Sequence, residues 1–67
     1  NFKSYKVKVT TNSLNIRKDA GTNYTIIGKI KDKGTYTIVN EKSGQGATKW
    51  LELKSGGYIS SDFVMKI

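Results

Sequence analysis

Hydrophobic and polar side chains alternate along most of the chain with a period of two. Tyr5, Val7 and Val9 fall on one face of a first segment, and Lys6 and Lys8 on the other, which predicts a half-buried β-strand. Leu14-Asn15-Ile16-Arg17 alternates again, with its apolar positions now even-numbered. The phase changes across Thr10–Ser13, so a bulge or sharp bend is predicted there. Ile26–Ile30 is short and apolar, and Thr35–Asn40 is rich in residues that favour a pleated, half-buried surface. Lys49–Leu53 and Tyr58–Ser60 follow as further strands, joined by Lys54-Ser55-Gly56-Gly57, where paired glycines supply the positive φ of a tight hairpin. Ser61–Val64 reads as one turn of 3₁₀ helix, and Met65–Ile67 as a last short strand. Lys18–Thr25 and Glu41–Thr48 carry the turn-forming glycines and polar residues of loops.

No segment has a sustained helical period. Five to six or more short strands with turns between them predict an all-β fold, a small antiparallel barrel. Asn1–Ser4 read as a frayed lead-in, and residues 5–67 as a single domain. The chain opens on Asn rather than Met, which suggests a module of a longer protein.

The alternation also separates core from outer face. Leu51 and Leu53 share one side of their strand, while Trp50 and Glu52 share the other. Ile59 points inward, so Tyr58 points outward. Tyr24 sits on a polar loop and Phe63 in the 3₁₀ turn. Outward aromatic rings bury large area at little entropic cost, so Trp50, Tyr24, Tyr58 and Phe63 are candidate ligand contacts. Tyr36 shares a face with Ile38 and reads as core. Arg17 and Asp19, at the lip of the first loop, are set either to pair with each other or to meet a peptide carboxylate and amine. Glu52, beside Trp50, is a candidate for an ammonium group. Asn15 and Asn23 read as makers of local turn hydrogen bonds.

Composition narrows the chemistry. The chain of 67 residues has neither cysteine nor histidine. That excludes disulfides, thiolate or imidazole zinc sites, cysteine nucleophiles and His-based acid–base schemes. Asp19 and Glu52 are the one carboxylate pair near the aromatic face, and a barrel this small lacks the depth to tune such a pair for glycoside hydrolysis. No catalytic residue, metal or cofactor is expected.

Twelve basic residues face five acidic ones, a formal net charge of +7. Such a surface attracts polyanions. Eleven of the twelve are Lys, and Arg is the residue that reads phosphates and base edges bidentately, so nucleic acid is a weak candidate. No stretch is long and apolar enough for membrane insertion as a helix, and a basic small barrel is expected to be monomeric.

A set of short motifs then gives the chain a family likeness. Leu14-Asn15-Ile16-Arg17, Gly21, Tyr24, Ile27-Gly28 and Lys33-Gly34-Thr35 resemble the first half of bacterial SH3 domains. Trp50, Leu53-Lys54-Ser55-Gly56, Gly57-Tyr58-Ile59 and Asp62-Phe63-Val64 resemble the second half. The resemblance runs from about Tyr5 to Lys66. It implies an SH3-like barrel that brings the aromatic residues to one groove. It also implies a non-catalytic module of a secreted or cell-surface protein, held at the bacterial cell wall. Such modules accompany peptidoglycan hydrolases such as N-acetylmuramoyl-L-alanine amidases and NlpC/P60-type endopeptidases. The implied partner is a peptidoglycan stem or cross-bridge peptide, with teichoic acid or another anionic wall polymer as a second partner. Three features depart from the family pattern: the chain has no proline, Lys49 precedes Trp50 where glycine is common, and the Gly44–Thr48 stretch is long.

Two other readings compete. Gly57–Val64 is similar to the end of eukaryotic SH3 adaptors, but Ser60 stands where those carry a groove proline, and their acidic aromatic stretch is missing. A basic barrel that binds nucleic acid by stacking would need a cationic stripe, and the lysines here are scattered.

Overall fold

The computed structural model describes residues 2–67. These form seven strands: β1 (Tyr5–Val9), β2 (Leu14–Arg17), β3 (Ile26–Ile30), β4 (Thr35–Lys42), β5 (Trp50–Leu53), β6 (Tyr58–Ser60) and β7 (Val64–Lys66). A 3₁₀ turn, Ser61–Phe63, links the last two. Every strand pairing is antiparallel, and the strands form one sheet in the order β3-β2-β6-β5-β4-β1-β7.

The sheet curls around its own core. Val7, Val9, Leu14, Ile30, Ile38, Leu51, Leu53 and Ile59 come from six strands, yet they meet in one buried cluster. The predicted alternation holds in β1, where Val7 and Val9 are buried while Lys6 and Lys8 are exposed. It fails in the central strands. Tyr58, Ile59 and Ser60 are all buried in β6, and Trp50, Leu51 and Leu53 in β5, so these strands are covered on both faces.

The expected bend lies at Thr10–Ser13, which leaves β1 and leads into β2 without strand structure. Thr10 anchors it by donating from both its backbone N–H and its hydroxyl to the Phe63 carbonyl. Register shifts occur elsewhere, within β2 at Ile16/Arg17 and within β4 at Ile38/Asn40. The β5–β6 hairpin turns on Gly56 and Gly57, both at positive φ (107° and 87°). A side chain at Gly57 would also overlap the Ile16 side chain across the sheet. Of the expected frayed lead-in, Asn1 lies outside the described residues, and Phe2 places its ring 5.8 Å from that of Tyr5.

Candidate functional site

The outer face of β2, β6 and β5 carries four of the seven candidate residues, Arg17, Tyr58, Trp50 and Glu52, and register explains why. Arg17 lies opposite Tyr58, which lies opposite Glu52, while Ser60 lies opposite Trp50. One row therefore runs Arg17–Tyr58–Glu52, and the next brings Trp50 to Ser60. The sequence placed these side chains on the face away from the main core, and the sheet keeps them there.

Their exposure differs from expectation. Trp50 is only 3% exposed and Tyr58 8%, because two loops fold over them. Together with Ala20 they make a second buried cluster, with Ala47 packed at its margin. The loops are clasped backbone to backbone. Gly21 and Gln45 form a parallel bridge, and the Thr22 N–H donates to the Gln45 carbonyl at 3.0 Å. That same carbonyl accepts the Trp50 indole N–H at 3.1 Å, so the indole's one polar group is satisfied. Glycine is required in this clasp. A Cβ on Gly44 would overlap the Ala20 carbonyl oxygen, and one on Gly46, whose φ is 88°, would overlap the Thr22 side chain. The trace of this cover in the sequence is faint: two alanines in otherwise polar loops.

Beside this cluster lies an open groove of about 210 Å³. Leu14, Trp50 and Phe63 give it apolar surface, Ser13, Asn15, Thr22 and Ser60 neutral polar groups, and Arg17 its one charge. Phe63 is 49% exposed. The 3₁₀ turn holds it in place: the Asp62 N–H donates to the Ser60 hydroxyl, and Asp62 accepts the Thr48 N–H. Arg17 uses Nη1 to donate to the carbonyls of Thr22 (3.1 Å) and Tyr24 (3.0 Å), which fixes the first loop against the groove.

The remaining candidates gather elsewhere. Tyr58 donates its hydroxyl to Glu52 at 3.2 Å, and the Lys42 ammonium lies 5.2 Å from the Tyr58 ring centroid. Lys42 also meets Asp19 at 3.4 Å, the one ion pair among the described residues. Asp19 thus pairs with Lys42 rather than with Arg17. The Ala20 backbone N–H and then Lys42 hold its carboxyl below the usual carboxylate range. The Tyr58 side chain and Asp19 in turn push the Lys42 ammonium above the usual lysine range. Tyr24 is 41% exposed on the first loop and does not line the groove. The single aromatic groove expected from the sequence therefore divides. Arg17, Trp50 and Phe63 share the groove, while Tyr58, Glu52 and Asp19 form a hydrogen-bonded and charged cluster with Lys42. Asn15 and Ser60, given no ligand role by the sequence reading, line the groove because their strand positions place them on its wall.

A wider depression of about 380 Å³ lies elsewhere on the sheet, lined by Thr35–Thr37 and Leu53–Ser55, and contains none of the candidate residues. No helix among the described residues is long and apolar enough to cross a membrane.

A small curled antiparallel sheet, with loops clasped over one face and a shallow aromatic groove beside them, defines a binding module. Residues 12–65 match the family model of the bacterial SH3 domain, and the chain belongs to that family. SH3-type domains are generally non-catalytic modules that bind peptides. Comparison with curated proteins and with solved structures gives no match.

Proposed function

We propose that this domain is a cell-wall-targeting module of a secreted or surface-displayed bacterial protein. In this reading it holds a larger protein, such as a peptidoglycan hydrolase, against its substrate. The groove lined by Arg17, Trp50 and Phe63 takes a peptidoglycan peptide, and the lysines add general attraction to anionic wall polymers. The observation that carries the reading is the groove itself. It combines a buried indole, a half-exposed phenyl ring and a held guanidinium, an arrangement that suits a short peptide with apolar and charged groups.

The test is retention on purified sacculi, with and without teichoic acids, in low and high salt. The variant to compare is Phe63→Ala, because its ring is half exposed, whereas Trp50 supports the fold. Wild type should sediment with sacculi in high salt, and Phe63→Ala should remain largely in the supernatant. Wild type staying in the supernatant on several wall chemotypes at low salt overturns the reading.

A further inference from the structure

The distribution of charge around the groove says which end of a peptide it suits. All five carboxylates of the chain accept hydrogen bonds from the protein. Asp19 accepts from the Ala20 N–H and Lys42, Asp32 from the Gly34 N–H and the Tyr36 hydroxyl, Glu41 from Tyr5, Glu52 from Tyr58, and Asp62 from the Thr48 N–H. None of them lines the groove. An ammonium group entering it meets no counter-charge.

Arg17 is in the opposite situation. Both hydrogens of Nη1 are committed to the Thr22 and Tyr24 carbonyls, which fixes the guanidinium plane. Nε and Nη2 have no hydrogen-bond partner among the described residues, and Arg17 makes no ion pair there. A guanidinium held in place with its other donors uncommitted is preorganised for a planar, two-oxygen acceptor. Phe63, half exposed, provides surface for an apolar side chain next to that acceptor, and the edges of the buried Trp50 and Leu14 side chains line the groove beneath it.

We infer that the groove selects a peptide through a free carboxylate bound by Arg17, with a small apolar side chain beside it on Phe63 and Trp50. The inference rests on the wall-peptide reading above and sharpens it: the ligand is the carboxylate-bearing stem peptide, not the amine-bearing cross-bridge. Arg17 is a specificity-determining residue, and the chain's many lysines are not interchangeable with it.

The experiment is an NMR titration of the ¹⁵N-labelled chain with three synthetic peptides. The first is a stem-type tetrapeptide with its carboxylates free, the second is the same peptide with every carboxylate amidated, and the third is an uncharged-side-chain cross-bridge peptide with a free amine and an amidated C-terminus. The free-acid peptide is expected to shift the Trp50 indole and the Phe63 and Arg17 amides, and to bind at least about tenfold more tightly than the amidated one. Arg17→Gln should bring the two stem peptides to equal affinity. Arg17 also holds a loop, so Phe63→Ala serves as the second variant: it should weaken both stem peptides while keeping their ratio. Equal binding of free and amidated stem peptides in the groove overturns the carboxylate inference and leaves the wall reading standing. Preference for the amine peptide does the same. Retention on sacculi with no groove shifts from any peptide overturns the inference and assigns wall binding to the lysine surface. Failure of both peptide binding and sacculus retention overturns the inference and the wall reading together.

Discussion

The main core and the cluster around Trp50 lie on opposite faces of the same strands, and they are built differently. The first is aliphatic: Val, Leu and Ile from six strands interlock with no polar group to satisfy. The second is aromatic and loop-made: Trp50 and Tyr58 each keep a polar tip, and each tip is hydrogen-bonded. Strand β5 shows both, with Leu51 and Leu53 on one side and Trp50 on the other. The aliphatic side makes the domain stable. The aromatic side fixes two loops in place, and those loops shape the groove.

Substitutions can break that division or sharpen it. Ile59 is fully buried at the centre of the aliphatic core, and Ile59→Ala should cost about 2–5 kcal/mol. The total stability of a chain this small is only on the order of 3–10 kcal/mol. Denaturant unfolding should therefore show a large loss, with cooperative exposure of the whole sheet.

Trp50→Phe should cost less, about 1–3 kcal/mol, since it keeps an aromatic ring but removes the donor to Gln45. Its larger effect should be local. Amide exchange at Thr22, whose N–H uses the same carbonyl, should quicken well before the β1 and β4 amides respond. If Trp50→Phe instead loosens the whole sheet as Ile59→Ala does, the two clusters are one cooperative core.

Tyr5 supplies a pH-dependent contrast on the aliphatic side, where it packs against the main core. Desolvation, and then its hydrogen bond to Glu41, push its phenol up from 10.0 to about 12. The folded state therefore favours the protonated phenol. The associated stability is fully present below about pH 10 and is lost as the pH rises towards 12. Tyr5→Phe should flatten part of that alkaline decline, as read by denaturant midpoints between pH 9 and 12. An unchanged slope would remove Tyr5 as its source.

The smallest effect belongs to Lys42→Gln. The Lys42–Asp19 pair is exposed, with side chains 47% and 41% accessible. It should shift the melting temperature slightly at low salt and not measurably at high salt.

The fold was legible in the sequence where a strand keeps one face in the core and one in solvent, as β1 does. Val7 and Val9 against Lys6 and Lys8 announced β1, and the Gly56-Gly57 pair announced the hairpin. The phase change at Thr10–Ser13 marked a true bend, although the strands on either side of it are not neighbours in the sheet. The last strand was legible to within one residue: Met65–Ile67 was expected, and β7 runs Val64–Lys66. The site was legible by face but not by exposure. Alternation put Trp50 and Tyr58 away from the main core. Whether solvent or a loop meets them depends on long-range contacts such as Gly21 with Gln45, which no local pattern encodes. For the same reason Asp19 and Arg17, close in sequence, found different partners: Arg17 turned to loop carbonyls and Asp19 to a lysine on β4.

The pairing of β1 with β7 has a mechanical consequence. Val7 lies opposite Lys66 and Val9 opposite Val64, and Ile67 donates to the Lys6 carbonyl, so both ends of the described chain emerge at the same end of one ladder. A pull across Phe2 and Ile67 loads these hydrogen bonds one after another, as in a zipper, rather than all at once as in shear. The domain is expected to yield to tension at low force from this edge, with β7 peeling away first. The clasped loops join β2 to β3 and β4 to β5, but Phe63 directly precedes β7, so the peel reaches the groove once it passes Val64.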